Sequence, residues 1–297
     1  MADYQIFSDG ACDLGDALAN EYDISIIPFY VSLDQETYQK ELEELSLETY
    51  YDFLKNSKKY PKTSLPSVQD YIDAFRPALE AGKDLICLTI TNTLSGSIQS
   101  ATTAKDILTE EFPNATIHVI NSLHCTGSQA LILMEASRMK KAGKTIEETL
   151  AYIEKAKVDA RIHFMVGDLS YLEIGGRIGR LATLSGSILK IKPIIILRNG
   201  EISIGGAVRS RKKGLLRILE VTKEYFQTTG QKAEDFIATI GVNTIPEEFT
   251  ECKEMLLSAL PGLNFLGGFH VGAAVSTHTG PGTIGVCFAK KYQAYDL

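Results

Sequence analysis

The chain lacks an excess of positive charge, a C-x-x-C pair and any long apolar run. Its 30 Lys and Arg face 37 Asp and Glu, a formal net charge of −7. This balance argues against a nucleic-acid partner, because neutralising phosphates requires a broad basic surface. The apolar run Pro193–Leu197 is far too short to cross a bilayer, so we expect no stable membrane insertion.

Metal-binding and nucleotide-binding signatures are also missing. The five cysteines lie far apart, mostly in apolar runs, which predicts buried reduced thiols. The acidic start of the sequence leads directly into a strand-like run, so we expect no signal peptide. We therefore expect a cytoplasmic protein. No histidine has ligand-type spacing, so we expect neither a metal nor another cofactor. No G-x-x-x-x-G-K-[ST] loop is present, and Gly280–Gly285, which matches G-x-G-x-x-G, lies too near the end for a following helix and strand.

The pattern of apolar residues predicts two α/β domains, which also fits a length of 297 residues. Residues 1–160 alternate short apolar runs with amphipathic ones, which is typical of a mostly parallel sheet with helices on both faces. Residues 161–297 predict a mixed-sheet domain with a hairpin at Arg198-Asn199-Gly200. Within these domains we expect Ser25–Leu33 and Phe269–Ser276 each to form one strand.

Two hydroxyl-rich runs, Lys62–Ser67 and Asn92–Ser97, each precede a stretch that predicts a helix. A helix start with free N–H groups and nearby Ser or Thr hydroxyls holds an anion without a buried Lys or Arg. One carboxylate is the ligand that such a site suits, which indicates binding of an acid rather than its transformation. Ser67 with Asp70 forms a capping-box pattern, so Ser67 is assigned to the helix start. Asp13 is expected to cap the helix that follows it.

Further motifs follow these runs in one order along nearly the whole chain. They are Ser8-Asp9 with Cys12-Asp13-Leu14, Lys62–Ser67, Ser95-Gly96-Ser97, Tyr171–Ile178, Ile191-Lys192-Pro193, Val208–Arg211 and His278–Gly282. Together they resemble the DegV family of fatty-acid-binding proteins, which includes the fatty-acid-binding subunits of bacterial fatty acid kinase. The chain differs mildly from the family pattern, with Gly10 where Ser or Thr is common and Ser97 where Thr is common.

The resemblance implies a long-chain fatty acid, such as palmitate, held between the two domains. Thr63, Ser95 and His278 would hold its carboxylate, with further donors at Ser64 and Gly96. For His278, the glycine-rich sequence that follows it predicts a tight backbone turn. The protein would have no catalytic residue of its own and would present the acid to a separate ATP-dependent kinase subunit, which makes an acyl phosphate in lipid metabolism.

Two arginines and one aspartate complete the predicted site. The resemblance suggests that Arg177 and Arg209 help to dock the kinase subunit, since basic residues on an acidic protein steer a partner. Asp9 is expected to organise the loop hydrogen bonds near the carboxylate. An aspartyl-phosphate enzyme would need a second Asp at position 11, where the chain has Ala.

Two other functions remain open on the sequence. One is a hydrolase or acyltransferase that uses Ser95 with His278, and the other is a sensor whose bound lipid is structural. The sequence does not separate the wall of an acyl cavity from ordinary core, which is the default for apolar residues at such spacing. Candidates for the wall are Ile27, Phe29, Ile98, Leu131, Met165, Leu184, Ile188 and Ile194.

Overall fold

The fold is built on three sheets, seen here in a computed structural model that describes residues 4–179, 181 and 191–296. Leu184 and Ile188 lie outside the described residues. The strands are β1 (Tyr4–Asp9), β2 (Ile24–Ile27), β3 (Tyr30–Ser32), β4 (Gln39–Lys40), β5 (Lys62–Ser64), β6 (Asp84–Thr89), β7 (Ile117–Asn121), β8 (Arg161–Met165), β9 (Lys192–Arg198), β10 (Glu201–Val208), β11 (Phe236–Val242), β12 (Asn264–His270) and β13 (Ile284–Lys290).

Helices cover the sheets and connect their strands. They are α1 (Asp16–Glu21), α2 (Leu47–Asn56), α3 (Val68–Glu80), α4 (Ser97–Glu111), α5 (Thr126–Lys141), α6 (Ile146–Asp159), α7 (Ser170–Ile174), α8 (Arg211–Thr229), α9 (Glu248–Ala259) and α10 (Ala273–Thr279). The predicted capping box forms, since Ser67 accepts the N–H of Asp70 while Asp70 accepts the N–H of Ser67. This exchange satisfies two donors that the start of α3 would otherwise leave unpaired.

The first sheet is fully parallel, with the strand order β2-β1-β6-β7. Its central strands are apolar on both faces, as buried parallel strands require. In β6, Leu85 and Cys87 pack towards α3 and α4, whereas Ile86 and Leu88 pack towards α5 and α6. The predicted parallel α/β half is confirmed.

The second sheet is mixed, with the order β10-β9-β8-β13-β11-β12, in which only the last pair is parallel. Asn199 and Gly200 both have positive φ, at 51° and 81°, which gives β9 and β10 the predicted tight turn. One face of the sheet packs on α8 and α9 through a core rich in Phe. The other face turns towards the first sheet, and the predicted mixed-sheet half is confirmed.

Helix α5 lies between the two large sheets. Thirteen of its 16 residues are buried, including the polar Gln129 and Glu135. It packs against β1 of the first sheet and against β8, β11 and β13 of the second. A helix buried on all sides loses the one-sided apolar pattern of a surface helix. The expected boundary near residue 160 falls between α6 and β8, and the independence of the two domains stays a prediction.

The structure corrects two predicted strands. Ser25–Leu33 is divided at Pro28, which has no N–H for a ladder, so β2 joins the parallel sheet whereas β3 pairs with β4 and β5 in a small antiparallel sheet. Phe269–Ser276 is divided at Gly272, the N-cap of α10. Residues Ala273 onwards are helical because their small side chains pack closely against α2 and the small sheet.

Asp13 also differs from its prediction. It has the left-handed φ of 57° and follows a short 3₁₀ turn, while Gly15 is the N-cap of α1. Its side chain is turned inwards, beside the N–H of Gly272 and near the carboxylate of Glu41. Asp13 therefore contributes to the join between the two halves rather than to a helix start.

Candidate functional site

A cavity of about 260 Å³ lies between the loops that follow β1 and β6 and the inner face of the mixed sheet. One water needs roughly 10–15 Å³ on this measure, so the cavity is large enough for an extended organic ligand. It lies beyond the carboxyl ends of the parallel strands, where open α/β sheets commonly bind ligands.

Most of the cavity wall is apolar. Side chains of the mixed sheet form one side, among them Ile162, Phe164, Leu197 and Ile202, and Ala11, Phe29 and Ile90 come from the other half of the chain. Of the sequence candidates that lie within the described residues, Phe29 alone is among these lining residues, and Ile98 is not one of them. Ile27, Leu131, Met165 and Ile194 belong instead to the packed cores.

Polar side chains gather at one part of the wall. Thr63, Ser95, Arg177 and His278 line the cavity, as does Ser64, which follows Thr63 in sequence and has an exposed side chain. Thr63 and His278 lie 215 positions apart in sequence, yet Thr63 Oγ1 is 2.8 Å from His278 Nε2. The structure therefore brings together the three residues that the resemblance assigns to a carboxylate, with an added positive charge beside them.

Thr63 lies in strand β5, before the helix start at Ser67 that the sequence analysis expected to hold the anion. β5 pairs with β3, and the pairing places Thr63 opposite Val31. Because side chains alternate along a strand, Thr63 faces inwards while Lys62 and Ser64 are exposed. The small sheet thus fixes the direction of the Thr63 hydroxyl more firmly than a loop would.

Ser95 does lie in the loop before α4, and Asp9 anchors that loop. The buried Asp9 carboxylate accepts the N–H of Ile90 at 2.9 Å and the hydroxyl of Ser97 at 2.6 Å, at the two ends of the loop. Gln129 on α5 donates to its other oxygen at 3.1 Å. Burial raises the pKa of Asp9 to about 6, and these hydrogen bonds oppose the shift. Asp9 holds the loop as the sequence analysis predicted.

His278 lies in the last turn of α10 and not in the tight turn that its glycine-rich sequence predicts. The turn comes two residues later, at Gly280 with a φ of 70°. Burial, helped by the nearby charge of Arg177, lowers the pKa of His278 to about 4, so its ring is neutral near pH 7. Nδ1 is buried against Gly175 and has no hydrogen-bond partner among the described residues.

The two predicted docking arginines lie in different places. Arg177 is half-buried at the cavity, where its guanidinium donates to the carbonyl oxygens of Leu94, at 3.0 Å, and of Gly175. Arg209 is exposed after β10 and is not among the lining residues. Gly96 is the N-cap of α4 and lies against Leu65, a lining residue, while contributing no side chain.

Thr279 is a polar lining residue that the sequence analysis missed. Its hydroxyl is buried and has no hydrogen-bond partner among the described residues. Thr279 follows His278 directly in the His278–Gly282 motif, and this position could have identified it as a lining residue. Two consecutive residues at the end of a helix can both reach a wide cavity.

Phe269 on β12 is part of the apolar wall of the cavity. Its ring covers Gly241 and Gly127, where a Cβ atom would come within 2.5 and 2.6 Å of ring atoms. These two glycines provide the space that the ring occupies. Phe269 is itself partly exposed.

The contacts of Ser95 bear on the hydrolase alternative. Ser95 Oγ accepts the N–H of Ser97 at 3.3 Å, whereas His278 Nε2 is engaged by Thr63. A nucleophile and its base are recognised by a hydrogen bond between them, and the described contacts contain none between Ser95 and His278.

Glu41 joins the two halves behind the cavity. Its buried carboxylate accepts the N–H of Ala274, at the start of α10, at 2.9 Å and the N–H of Phe29 at 3.3 Å. Burial raises the pKa of Glu41 to about 7, and burial with the nearby charge of Glu41 raises that of Asp13 well above its ordinary value. A proton is therefore held in this region of the folded protein at pH values where exposed carboxyls are ionised.

We expect this burial to make folding stability depend on pH. Because the pKa of Glu41 rises on folding, the folded state binds more protons between about 4.5 and 7, and stability falls as the pH rises through that range. The buried His124 and His163 have lowered pKa values and act in the opposite sense. We therefore compare wild type with Glu41→Gln by urea unfolding at pH 4.5 and 8.

The free energy of unfolding of Glu41→Gln, taken relative to that of wild type, should increase by on the order of 3 kcal/mol from the lower pH to the higher pH. The exposed Glu43→Gln provides the baseline. If the two variants show the same pH dependence, Glu41 does not hold the proton.

Neither a membrane-spanning helix nor a metal-binding cluster is present among the described residues. Within the described ranges, no helix is long and apolar enough to span a membrane. The same residues contain no group of three or more His, Cys, Asp or Glu side chains arranged to hold a metal ion.

Comparison with known proteins identifies clear relatives. The model of the DegV family, described as uncharacterised, matches residues 3–291. Protein DegV of Bacillus subtilis is 26% identical over 96% of this chain and 99% of its own length. The chain also superposes on a stearic acid-binding protein of Eubacterium ventriosum, with a TM-score of 0.93 and 37% identity over 98% and 100% of the two chains. A fatty-acid-binding DegV family protein of Thermus thermophilus gives a TM-score of 0.86, with 27% identity over 97% and 99%.

Proposed function

Because this chain belongs to the DegV family, we propose that it binds one long-chain fatty acid, such as palmitate, between its two halves. The observation that carries this proposal is the cavity itself, in which an apolar wall ends at a cluster of hydroxyls, a neutral histidine and one arginine. An amphiphile with a single anionic head matches this division. The solved fatty-acid-binding relatives support the ligand class.

The carboxylate would be held directly by Thr63 and Ser95, and His278 would act on it through Thr63. Thr63 has one proton, which it donates to a bound carboxylate only when His278 Nε2 carries a hydrogen and donates to Thr63 Oγ1. A neutral ring with its proton on Nε2 leaves Nδ1 without one, and Nδ1 is the atom that lacks a partner. His278 thus orients Thr63. Ser64 and the backbone N–H groups near Gly96 would add donors.

The acyl chain would supply most of the affinity. Each buried methylene contributes about 0.8 kcal/mol, or roughly fourfold in the dissociation constant. Hydrogen bonds to a carboxylate contribute roughly 1.5–3 kcal/mol each and decide which end of the ligand lies at the polar wall. A hidden chain with an accessible head is the arrangement that a carrier needs.

We further propose that the protein is a cytoplasmic carrier that presents the acid to a separate kinase subunit. A carboxylate oxygen would attack the γ-phosphorus of ATP, the bond from that phosphorus to the β–γ bridging oxygen would break, and acyl phosphate and ADP would form. The partner would bring ATP and its metal ion, and this chain would position the carboxylate. The buried unpaired thiols, such as Cys125 and Cys287, support the cytoplasmic location.

Native mass spectrometry of the purified protein, followed by lipid extraction, tests the binding function. We expect a mass excess equal to one fatty acid per chain, which organic solvent releases as the free acid. A protein that carries no acid, and that binds none when palmitate is added, would contradict the proposal.

Arg209 offers the sharper test of kinase docking. The sequence analysis paired it with Arg177, but Arg177 lines the cavity, so reversing its charge would also disturb the carboxylate. We expect Arg209→Glu to lower the rate of kinase-dependent acyl phosphate formation by about tenfold while leaving fatty-acid affinity unchanged, because an exposed charge acts mainly on association.

The control is Lys223→Glu, which makes the same charge change at an exposed site on α8. Equal rates for Arg209→Glu and Lys223→Glu would show that Arg209 has no specific part in docking. A parallel loss of fatty-acid binding in Arg209→Glu would place the residue in the binding site instead.

A further inference from the structure

Two carboxyl side chains, Asp13 and Glu41, meet behind the cavity at the join between the halves of the chain. Asp13 follows the short turn after β1, and Glu41 follows β4. Glu41 is 3% exposed, and both carboxylate oxygens of Asp13 are buried. A Cβ atom at Gly272 would lie 2.5 Å from Asp13 Oδ1 and 3.6 Å from Glu41 Oε2, so both groups lie against the same glycine. Asp13 and Glu41 are called the acid pair below.

The local backbone turns both members of the acid pair into the interior. Gly10 provides space for Glu41, because a Cβ atom at position 10 would collide with Glu41 Oε1. Asp13 has a left-handed φ of 57°, which is uncommon for a residue other than glycine. The pair is therefore a built feature of the join and not two surface acids that happen to approach each other.

The acid pair holds the start of α10. Glu41 Oε2 accepts the N–H of Ala274 at 2.9 Å. The N–H of Gly272, which is the N-cap of α10, lies beside the carboxylate of Asp13. α10 has only seven residues, and its other end carries His278, which lines the cavity. A contact that fixes the start of this short helix therefore also fixes part of the polar wall.

No positive charge compensates the acid pair within the described part of the chain. Neither carboxyl group forms an ion pair there, and Lys40, next to Glu41 in sequence, pairs with Asp70 and Glu43 instead. The titratable groups on the elements packed around the pair are Asp9, Cys12, Tyr50, Tyr51, Cys125, Cys287 and, at the far end of α10, His278.

These surroundings make a doubly ionised pair unfavourable. Burial raises the pKa of the neighbouring thiols and phenols and lowers the pKa of His278, so all of them are neutral near pH 7. Asp9 adds a further negative charge above its pKa of about 6. With both members ionised, Asp13 and Glu41 would repel each other in a buried region that offers no cation.

A proton removes this repulsion. Burial raises the pKa of Glu41 to about 7, and burial with the charge of Glu41 raises the pKa of Asp13 well above its ordinary value. Displacement of α10 would bring water to both carboxyl groups, which ionise near pH 4 when solvated. Opening therefore releases protons to the solvent, and it becomes easier as the pH rises.

We propose that the acid pair is a proton-dependent latch on α10. While a proton is held between Asp13 and Glu41, α10 stays closed over the cavity. When the proton leaves for the solvent, α10 is freed and the bound fatty acid is released. This inference rests on the proposed function, because it concerns the release of the ligand that the function assigns to the cavity. A carrier of this kind keeps its lipid more firmly in acidic than in alkaline surroundings.

The first test measures how fast radiolabelled palmitate moves from the loaded protein to excess phosphatidylcholine vesicles at pH 6 and pH 8. We expect the dissociation rate of wild type to rise at least tenfold. The opening equilibrium rises about tenfold for each pH unit between the ordinary and the raised pKa of a buried acid, and for Glu41 this range extends to about 7. Asp13, whose pKa is also raised, adds to the rise.

The double variant Asp13→Asn/Glu41→Gln has no ionisable group in the pair, so its rate should rise less than twofold. The matched control is Asp16→Asn/Glu43→Gln, which makes the same two changes at exposed neighbouring sites and should keep the wild-type rise. Any titration of palmitate itself is common to all three proteins. A wild-type rate that does not rise, or a double variant that keeps the wild-type rise, would overturn the latch.

Hydrogen exchange on the lipid-free wild-type protein tests the latch without a variant or a ligand. After correction for the intrinsic effect of pH, the protection of the α10 amides should fall at least tenfold from pH 6 to pH 8. At both pH values it should stay below that of the buried helix α5, because α10 opens locally. Equal protection of the two helices, or no fall in α10, would overturn the latch. If the protein takes up no palmitate, the proposed function fails, and this measurement still decides on the latch.

Discussion

Replacing Thr63 and Ser95 together by alanine is expected to weaken fatty-acid binding by about 10²- to 10⁴-fold. Both hydroxyls line the polar part of the cavity, and hydrogen bonds to a charged acceptor contribute roughly 1.5–3 kcal/mol each. The loss falls on the head of the ligand, so the dissociation constant should rise by a similar factor for acids of different length. Calorimetric titration of the delipidated protein with palmitate measures it.

The matched control for the double variant is Thr102→Ala with Thr109→Ala, two exposed threonines of α4 that do not line the cavity. It should bind palmitate as wild type does. Thermal unfolding of both double variants shows whether the fold is retained, since Thr63→Ala also leaves His278 without its partner. Wild-type affinity in the folded Thr63/Ser95 variant would remove these hydroxyls from the binding site.

Replacing Phe269 by alanine is expected to shift the preferred chain length upwards. The ring lines the cavity and lies over Gly241 and Gly127, so its removal enlarges the space available to an acyl chain. Two further methylenes that become buried would contribute about 1.6 kcal/mol, which is roughly 15-fold in relative affinity. Competition between acids that differ by two carbons measures this ratio directly.

Phe265→Ala is the control for this experiment. Phe265 lies on the same strand but packs against Phe249 and does not line the cavity. We expect it to lower stability while leaving the order of chain-length preference unchanged. If both variants shift the preference equally, the effect comes from loosening β12 and not from the space that the Phe269 ring occupies.

The sequence predicts local structure well wherever short-range chemistry decides it. The Ser67–Asp70 capping box forms, and Asn199-Gly200 makes the predicted turn. These features depend on side chains a few positions apart and on allowed backbone angles. The division of Ser25–Leu33 depends instead on which sheet each half joins, a contact between distant segments that local apolar spacing does not encode.

The same distinction applies to the site. Sequence motifs placed Thr63, Ser95 and His278 together only through resemblance to a family, because nothing local relates residue 63 to residue 278. The residues of the cavity wall were even harder to predict from the sequence. Ile194 and Ile195 are adjacent in β9 and both fully buried, yet they belong to different cores. Arg177 is held at the polar wall by hydrogen bonds to the carbonyl oxygens of Leu94 and Gly175. Because Leu94 is distant in sequence, the position of Arg177 could not be predicted from local pattern.

Helix α5 has a consequence for how a ligand would leave. A ligand between two lobes is commonly released when the lobes rotate apart about a hinge. Here one buried helix packs against both large sheets, and Glu41 ties the first half to the start of α10. Rotation of the halves would break these contacts, whereas displacement of the short α10 or of the edge strand β12 would leave α5 in place. The residence time of a bound lipid would then be set by local opening at the rim and not by separation of the lobes.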